Sequence, residues 1–321
     1  MNTSGLAEAS NAAIYATMVT LTIAMVLFAA SFASGRRRST SGAVARAAAA
    51  PVGAGGGGVA VLDRPSSDGN VDPGRKLANV GMSLTWLALG LLTVALVLRG
   101  LWAGRVPWGN MYEFSISSAW GVLAVFLVMS TRRDLRWLGL FVVIPTLLTL
   151  GLAITVLYTE AAQLVPALRS YWLVIHVSAA IICAGAFTVA ASTAALSLVQ
   201  SRRERSGRPW HGPMSQVPDA ERLRTYTSRI VAFSFPLWTF SVIAGAIWAE
   251  NAWGRYWGWD PKETWAFITW VVYAAYLHAR STAGWRGDRA SWIAILGLVT
   301  FLINYFGVNI FVNSLHSYAG V

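Results

Sequence analysis

Long apolar runs alternate with short polar segments along the chain, and these runs predict its architecture. Eight runs are long enough for a helix to cross a hydrocarbon core of roughly 30 Å. The predicted spans are residues 14–34, 77–98, 112–130, 137–158, 173–200, 229–248, 261–280 and 290–312. The chain is therefore predicted to be an all-α, polytopic membrane helix bundle of about eight transmembrane helices.

The first span is separated from the other seven by a segment of low complexity. Residues 1–13 carry no Lys or Arg, so residues 1–34 are predicted to be an uncleaved N-terminal transmembrane helix and not a signal peptide. Residues 35–76 are rich in Ala, Gly and Ser and predict a flexible cytoplasmic linker. Residues 77–321 are expected to form a seven-helix domain, in which no internal repeat is evident.

Composition and charge agree with a membrane protein. Of the 321 residues, 55% are hydrophobic and only 12% are charged, which is about half the charged fraction of a soluble domain. Twenty of the 25 Lys and Arg residues fall in alternate loops, on the side of residues 35–76. By the positive-inside rule both termini and the 248–270 segment then lie outside. The formal charge of +11 therefore needs no nucleic-acid partner.

Six of the sixteen tryptophans fall between residues 248 and 270. Gly254 and Gly258 disfavour a helix before Asp260, whereas Asp260-Pro261-Lys262-Glu263 is a strong helix start with the spacing of a capping box. We therefore expect an aromatic-rich loop that leads into a helix at Pro261. Tryptophans also form belts at membrane interfaces, but this density favours a flat platform for a large planar ligand.

Histidines supply the candidate chemistry, because the only cysteine, Cys183, lies in an apolar run and excludes a thiolate site. His176 near the outer end of the fifth span and His316 after the eighth are expected to flank the platform on one membrane face. His278 lies about 26 Å along the seventh helix from its start, near the inner leaflet. His211, in a basic loop, is expected to be solvated.

Two imidazoles from separate elements suit bis-axial ligation of haem iron, and indoles offer flat walls for a porphyrin. Arg255 and Lys262 are the only basic residues of the platform and are candidate contacts for the haem propionates. His278 is too deep to share that site. If it binds haem it marks a second, inner site, where a six-coordinate iron needs another ligand from elsewhere.

The run from Trp253 to Trp265, W-G-R-Y-W-G-W-D-P-K-E-T-W, closely resembles the WWD haem-handling signature of cytochrome c assembly proteins. Within that superfamily the chain is most similar to the CcsA/ResC subunit of the System II haem lyase. The resemblance covers most of residues 77–321. Its further motifs are Asn110-Met-Tyr-Glu113, Tyr171-Trp-x-x-x-His176 and Leu315-His-Ser-Tyr318.

The resemblance implies a haem b held between His176 and His316 at an external site, with His278 as the inner transmembrane haem ligand. The implied haem platform is Trp253, Tyr256, Trp257, Trp259, Asp260 and Trp265. It implies a subunit of a holocytochrome c synthase in a bacterial plasma membrane, with no residue assigned as acid or base. The implied partners are a ResB-type membrane subunit, which supplies the mate of His278, and an apocytochrome c with Cys-x-x-Cys-His. Because this chain has no dithiol, a separate protein must reduce the apocytochrome cysteines.

Three other functions fit part of the sequence. One is a haem transporter without a lyase role, and another is a b-type electron-transfer cytochrome. Such cytochromes usually place two histidines on one helix, whereas no predicted helix here carries two. The third is a transporter or scaffold whose tryptophans form only an interface belt.

Overall fold

A computed structural model of the chain describes residues 3–48, 73–161, 169–207 and 213–316. The α-helices in these ranges are α1 (Thr3–Ala48), α2 (Pro73–Ala103), α3 (Met111–Arg132), α4 (Gly139–Thr155), α5 (Tyr171–Arg205), α6 (Ala220–Trp253), α7 (Pro261–Ser281), α8 (Asp288–Leu302) and α9 (Val308–Phe311). Short 3-10 turns at Arg136–Leu138 and Pro213–Gln216 precede α4 and α6, and a π-helical segment, Ile303–Gly307, joins α8 to α9. The described ranges contain helices and no strand, so the all-α prediction is confirmed.

Seven helical segments in the described ranges are long and apolar enough to cross a membrane. They lie in α1 to α6 and in the stretch from α8 to α9. The remaining predicted span, residues 261–280, is α7, whose 21 residues extend over roughly 31 Å. Lys262 and Glu263 at its start and His278 and Arg280 at its end shorten its apolar centre. The chain is a multi-pass membrane protein.

Several helices extend beyond the predicted spans, and two of these extensions change the predicted linker and loop. Helix α1 continues to Ala48, into the predicted linker, whose residues 49–72 lie outside the described ranges. Helix α6 continues to Trp253, so the expectation of a non-helical segment from Trp248 to Asp260 is wrong over its first turns. Gly254 ends α6 in the left-handed region (φ +68°), and its N–H donates to the Glu250 carbonyl at 2.8 Å. The true loop is residues 254–260.

Helix packing brings the start of α5, the end of α6 and the start of α7 around a shared space. Helix α1 packs on α2 and α4, while α5 packs on α3, α6 and α8. Gly121 and Gly185 let α3 and α5 approach, since a Cβ at Gly185 would come within 2.6 Å of the Gly121 carbonyl carbon. Close backbone approach through small residues is a common basis of helix packing in lipid.

The close contact between α3 and α5 predicts a steep cost for added bulk. Gly185→Val should lower the free energy of unfolding by about 1–3 kcal/mol, the usual cost of overpacking. Gly90→Val is the matched control, because no atom lies within 4 Å of the position where its Cβ would stand. Thermal unfolding in detergent should show a clear loss for the first variant only. Equal melting temperatures would contradict this account of the α3–α5 contact.

Candidate functional site

One cavity is lined by residues from several of the aromatic and histidine motifs found in the sequence. Its wall includes residues from the loops before α3 and α7, from α5 and α6, and from the segment after α8. His176 and His316, which lie 140 positions apart in sequence, both line it. Most of the remaining wall is aromatic or aliphatic.

His176, the sixth residue of α5, is held by α6. Its Nδ1 lies 2.7 Å from the Ser241 carbonyl oxygen, and the Ser241 hydroxyl donates to the His176 carbonyl at 3.1 Å. A carbonyl oxygen only accepts hydrogen bonds, so Nδ1 carries the proton and Nε2 carries the lone pair. Gly245 makes room for the ring, because a Cβ there would lie 2.8 Å from the His176 Cε1 and Nδ1 atoms.

His316 is held by the residue that starts α7. Its Nδ1 lies 2.8 Å from Asp260 Oδ1, and the Leu315 N–H donates to Asp260 Oδ2 at 2.9 Å. Asp260 also caps α7 by accepting the Lys262 N–H at 3.1 Å. Since a carboxylate only accepts, the His316 lone pair is again on Nε2. The sequence indicated the cap but not this second role of Asp260.

The electrostatics keep His316 neutral and Asp260 ionised. Burial lowers the pKa of His316, and the nearby Asp260 carboxylate only partly offsets that effect. Burial alone would raise the pKa of Asp260, but hydrogen bonds from the His316 ring and from the Leu315 and Lys262 N–H groups bring it down to about 2. A neutral imidazole with a carboxylate on its far nitrogen is the usual arrangement of an oriented metal ligand.

Indoles lie beside both histidines. The Trp248 ring is nearly parallel to His176 at 6.5 Å between centroids and lies 5.7 Å from His316. The Trp253 ring is 4.7 Å from His316. Trp248 therefore neighbours both imidazoles, a role that its place at the end of a predicted span did not suggest.

The loop before α7 is tied together by one buried carboxylate. Glu263 accepts the N–H groups of Gly258 at 2.8 Å and Asp260 at 3.1 Å, and its Oε1 lies 3.0 Å from Arg255 Nη1. Arg255 thus helps to shape the loop. Lys262 lines the cavity, and its Nζ donates to Asn309 Oδ1 at 2.8 Å.

The rest of the predicted platform divides into two groups. Tyr256 and Trp257 line the cavity. Trp259 is 65% exposed and has a left-handed backbone (φ +57°), and Trp265 lies in the second turn of α7. Among the described residues, these last two are outside the cavity wall. A bulky residue at positive φ is strained, so the fold holds Trp259 outward at a cost.

The other histidines lie elsewhere. His278 is exposed in the last turn of α7, at the opposite end of that helix from Asp260. His211, Ser317 and Tyr318 fall outside the described residues.

Sequence reasoning missed the polar contribution of the segment after α8. Asn304, Tyr305 and Asn309 all line the cavity from the π-helical segment and α9. The Tyr305 hydroxyl lies 2.7 Å from Ser115 Oγ and donates to the Met111 carbonyl, which joins this segment to α3. A π-helical turn changes which residues face inward, and no local sequence signal announces it.

Comparison with known proteins gives the chain clear relatives. A family model described as "Cytochrome C assembly protein" matches residues 108–316. Cytochrome c biogenesis protein CcsA of Guillardia theta is 36% identical over 264 residues, covering 76% of this chain and 88% of that protein. The protein of the same name from Prochlorococcus marinus is 37% identical over 253 residues, covering 71% of this chain and 80% of that protein.

The lowered pKa of His316 predicts a pH-dependent stability. Below its ordinary pKa of 6.5 the unfolded chain takes up a proton that the folded chain does not, so the contribution is present above pH 6.5 and declines below it. From about pH 7.5 to about 5.5 the melting temperature of the parent should fall more steeply than that of His316→Gln. Asp260 does not titrate in this range, because its pKa is about 2. Parallel melting curves for the two proteins would contradict the assignment.

Proposed function

The chain belongs to the cytochrome C assembly protein family, and from that membership we propose that it is the haem-presenting membrane subunit of a cytochrome c haem lyase. The observation that carries the proposal is the histidine pair. Both imidazoles line one cavity, and each Nδ1 is bound to an acceptor, which assigns each lone pair to Nε2. Two such nitrogens with indoles beside them are the donor set and wall that bis-histidine haem ligation requires.

The substrate we propose is haem b, which brings two vinyl groups. In the reaction each S–H of the apocytochrome Cys-x-x-Cys-His adds across one vinyl C=C, forming a C–S and a C–H bond without net oxidation. The chain contributes position, and no acid or base is assigned. A misplacement of about 1 Å can cost on the order of a hundredfold in rate, which explains the value of a loop fixed by Asp260 and Glu263.

Other features of the site fit the same proposal. Lys262 presents its ammonium group at the cavity wall, where it can meet a haem propionate, whereas Arg255 binds Glu263 and does not belong to that wall. Trp253, Tyr256 and Trp257 supply flat surface near the iron site. Trp259 is exposed beside them, and we assign it a contact with the incoming apocytochrome.

The wider setting is part of the proposal. We place the 248–270 segment on the extracytoplasmic side of a bacterial plasma membrane, because the basic residues concentrate in the alternate loops. A ResB-type subunit is the proposed partner, and a separate protein reduces the apocytochrome thiols. Residues 1–34 act as an added membrane helix and residues 77–321 as the haem-handling domain.

The histidine pair predicts a specific loss and a specific rescue. His176→Gly and His316→Gly should each abolish c-type cytochrome maturation while the protein still inserts, because each removes one of the two nitrogens that would hold the iron. Added imidazole should partly restore maturation, since it replaces the lost ligand. His211→Gly is the control and should mature cytochromes normally. Normal maturation in both test variants would remove the bis-histidine proposal and favour a tryptophan belt.

His278 separates an inner site from a structural role. Its ring is exposed at the far end of α7, as expected of a ligand that shares an iron with a partner subunit. His278→Ala should lower the haem content of the purified complex while the two subunits stay associated. The external site, formed by His176 and His316, should still retain haem in this variant. Unchanged haem content and maturation would show that His278 is only a residue at a helix end.

A further inference from the structure

The loops before α3 and α7 share a nine-residue arrangement. Arg105-Val-Pro-Trp-Gly-Asn-Met-Tyr-Glu113 precedes and starts α3, and Arg255-Tyr-Trp-Gly-Trp-Asp-Pro-Lys-Glu263 precedes and starts α7. In both, an Arg stands five residues before the helix cap and a Glu stands three residues after it, with a Trp-Gly pair in between. The expectation of no internal repeat overlooked this match, because it is short and its Trp-Gly pair is offset by one position.

The same set of internal contacts stabilises each of the two loops. Glu113 accepts the Gly109 N–H at 2.7 Å and lies 2.7 Å from Arg105 Nη1. Glu263 accepts the Gly258 N–H at 2.8 Å and lies 3.0 Å from Arg255 Nη1. In each case one buried carboxylate joins an arginine, a backbone amide and the start of a helix.

Both loops line the same cavity. Trp108, Gly109 and Asn110 belong to its wall, as do Tyr256 and Trp257 of the other loop. Trp108 packs against the cluster of Leu173, Val177 and Trp248, next to the turn of α5 that carries His176. The loop before α7 carries Asp260, which holds His316. Each histidine therefore has one of the two loops beside it.

We infer that the Arg105–Glu113 loop is a second wall of the ligand site, in which Trp108 contacts the flat ligand as Trp257 does in the other loop. Glu113 is a positioning residue for Trp108. Its carboxylate is fully buried and also binds Arg99, at 3.1 Å from Arg99 Nε. Two guanidinium groups on one buried carboxylate make this loop rigid, and a rigid wall is what a preorganised site needs. This inference rests on the proposed function.

The test compares Trp108→Ala and Trp257→Ala with a control alanine variant and with His176→Gly, each in the complex purified with its partner. An aromatic contact is worth about 0.5–1.5 kcal/mol beyond area, so Trp108→Ala and Trp257→Ala should each retain haem about twofold to tenfold more weakly. Trp86→Ala is the control, because Trp86 lies on α2 with 47% of its surface exposed, away from the cavity. The readouts are the haem absorption per protein and the haem off-rate to an apomyoglobin-type acceptor, with melting temperature as the check on folding.

The outcomes separate this inference from the proposed function. If Trp257→Ala and His176→Gly lose haem but Trp108→Ala matches the Trp86 control, the second wall is wrong and the proposed function stands. If none of these variants changes haem retention, the proposed function itself fails. If Trp108→Ala does not insert, Trp108→Phe takes its place, with an expected smaller loss in the same direction.

The positioning role of Glu113 has its own readout. In Glu113→Gln the loop loses the carboxylate that binds Arg105 and Arg99. Trp108→Ala should therefore add little further haem loss in that background. Fully additive losses would show that Glu113 does not act through Trp108. Should Glu113→Gln fail to fold because two arginines lose their partner, Arg105→Gln provides the same comparison with the Arg99–Glu113 pair kept.

Discussion

The carboxylate of Asp260 is the point on which the site depends. One oxygen caps α7 and accepts from the His316 ring, and the other accepts the Leu315 N–H. The start of α7 and the segment after α9 are thereby joined across 55 positions of sequence. Loss of this carboxylate would remove the two hydrogen bonds that hold Leu315 and His316 to the start of α7, in a segment that follows the last described helix with no regular structure of its own.

The same kind of hydrogen bond orients both candidate haem-ligating histidines. The Ser241 carbonyl does for His176 what Asp260 does for His316, because each acceptor takes the Nδ1 proton and leaves Nε2 basic. Gly245 adds a steric condition, since no larger residue fits under the His176 ring. The two histidines differ in their support, however. His176 is part of a long helix, whereas His316 lies in a non-helical segment, so the second should be the easier one to release.

Some of this arrangement could be predicted from sequence and some could not. Apolar runs predicted the helices, and Asp260-Pro-Lys-Glu263 predicted the start of α7 with its capping box, because these signals are local. The end of α6 was placed too early, since packing of Trp248 beside His176 and His316 extends the helix to Trp253. The Asp260–His316 and Ser241–His176 contacts join residues 56 and 65 positions apart, and no periodicity reports such pairs. The inward-facing side chains of Asn304 and Tyr305 were missed because no local sequence signal announces the π-helical turn that carries them.

A structure of the haem-loaded complex with its partner subunit would show which residues hold the iron. We expect bonds from the iron to both His176 Nε2 and His316 Nε2, with the Asp260–His316 and Ser241–His176 contacts retained. Iron bonded to only one of these histidines, or a haem lying outside the cavity against the exposed tryptophans, would contradict this expectation.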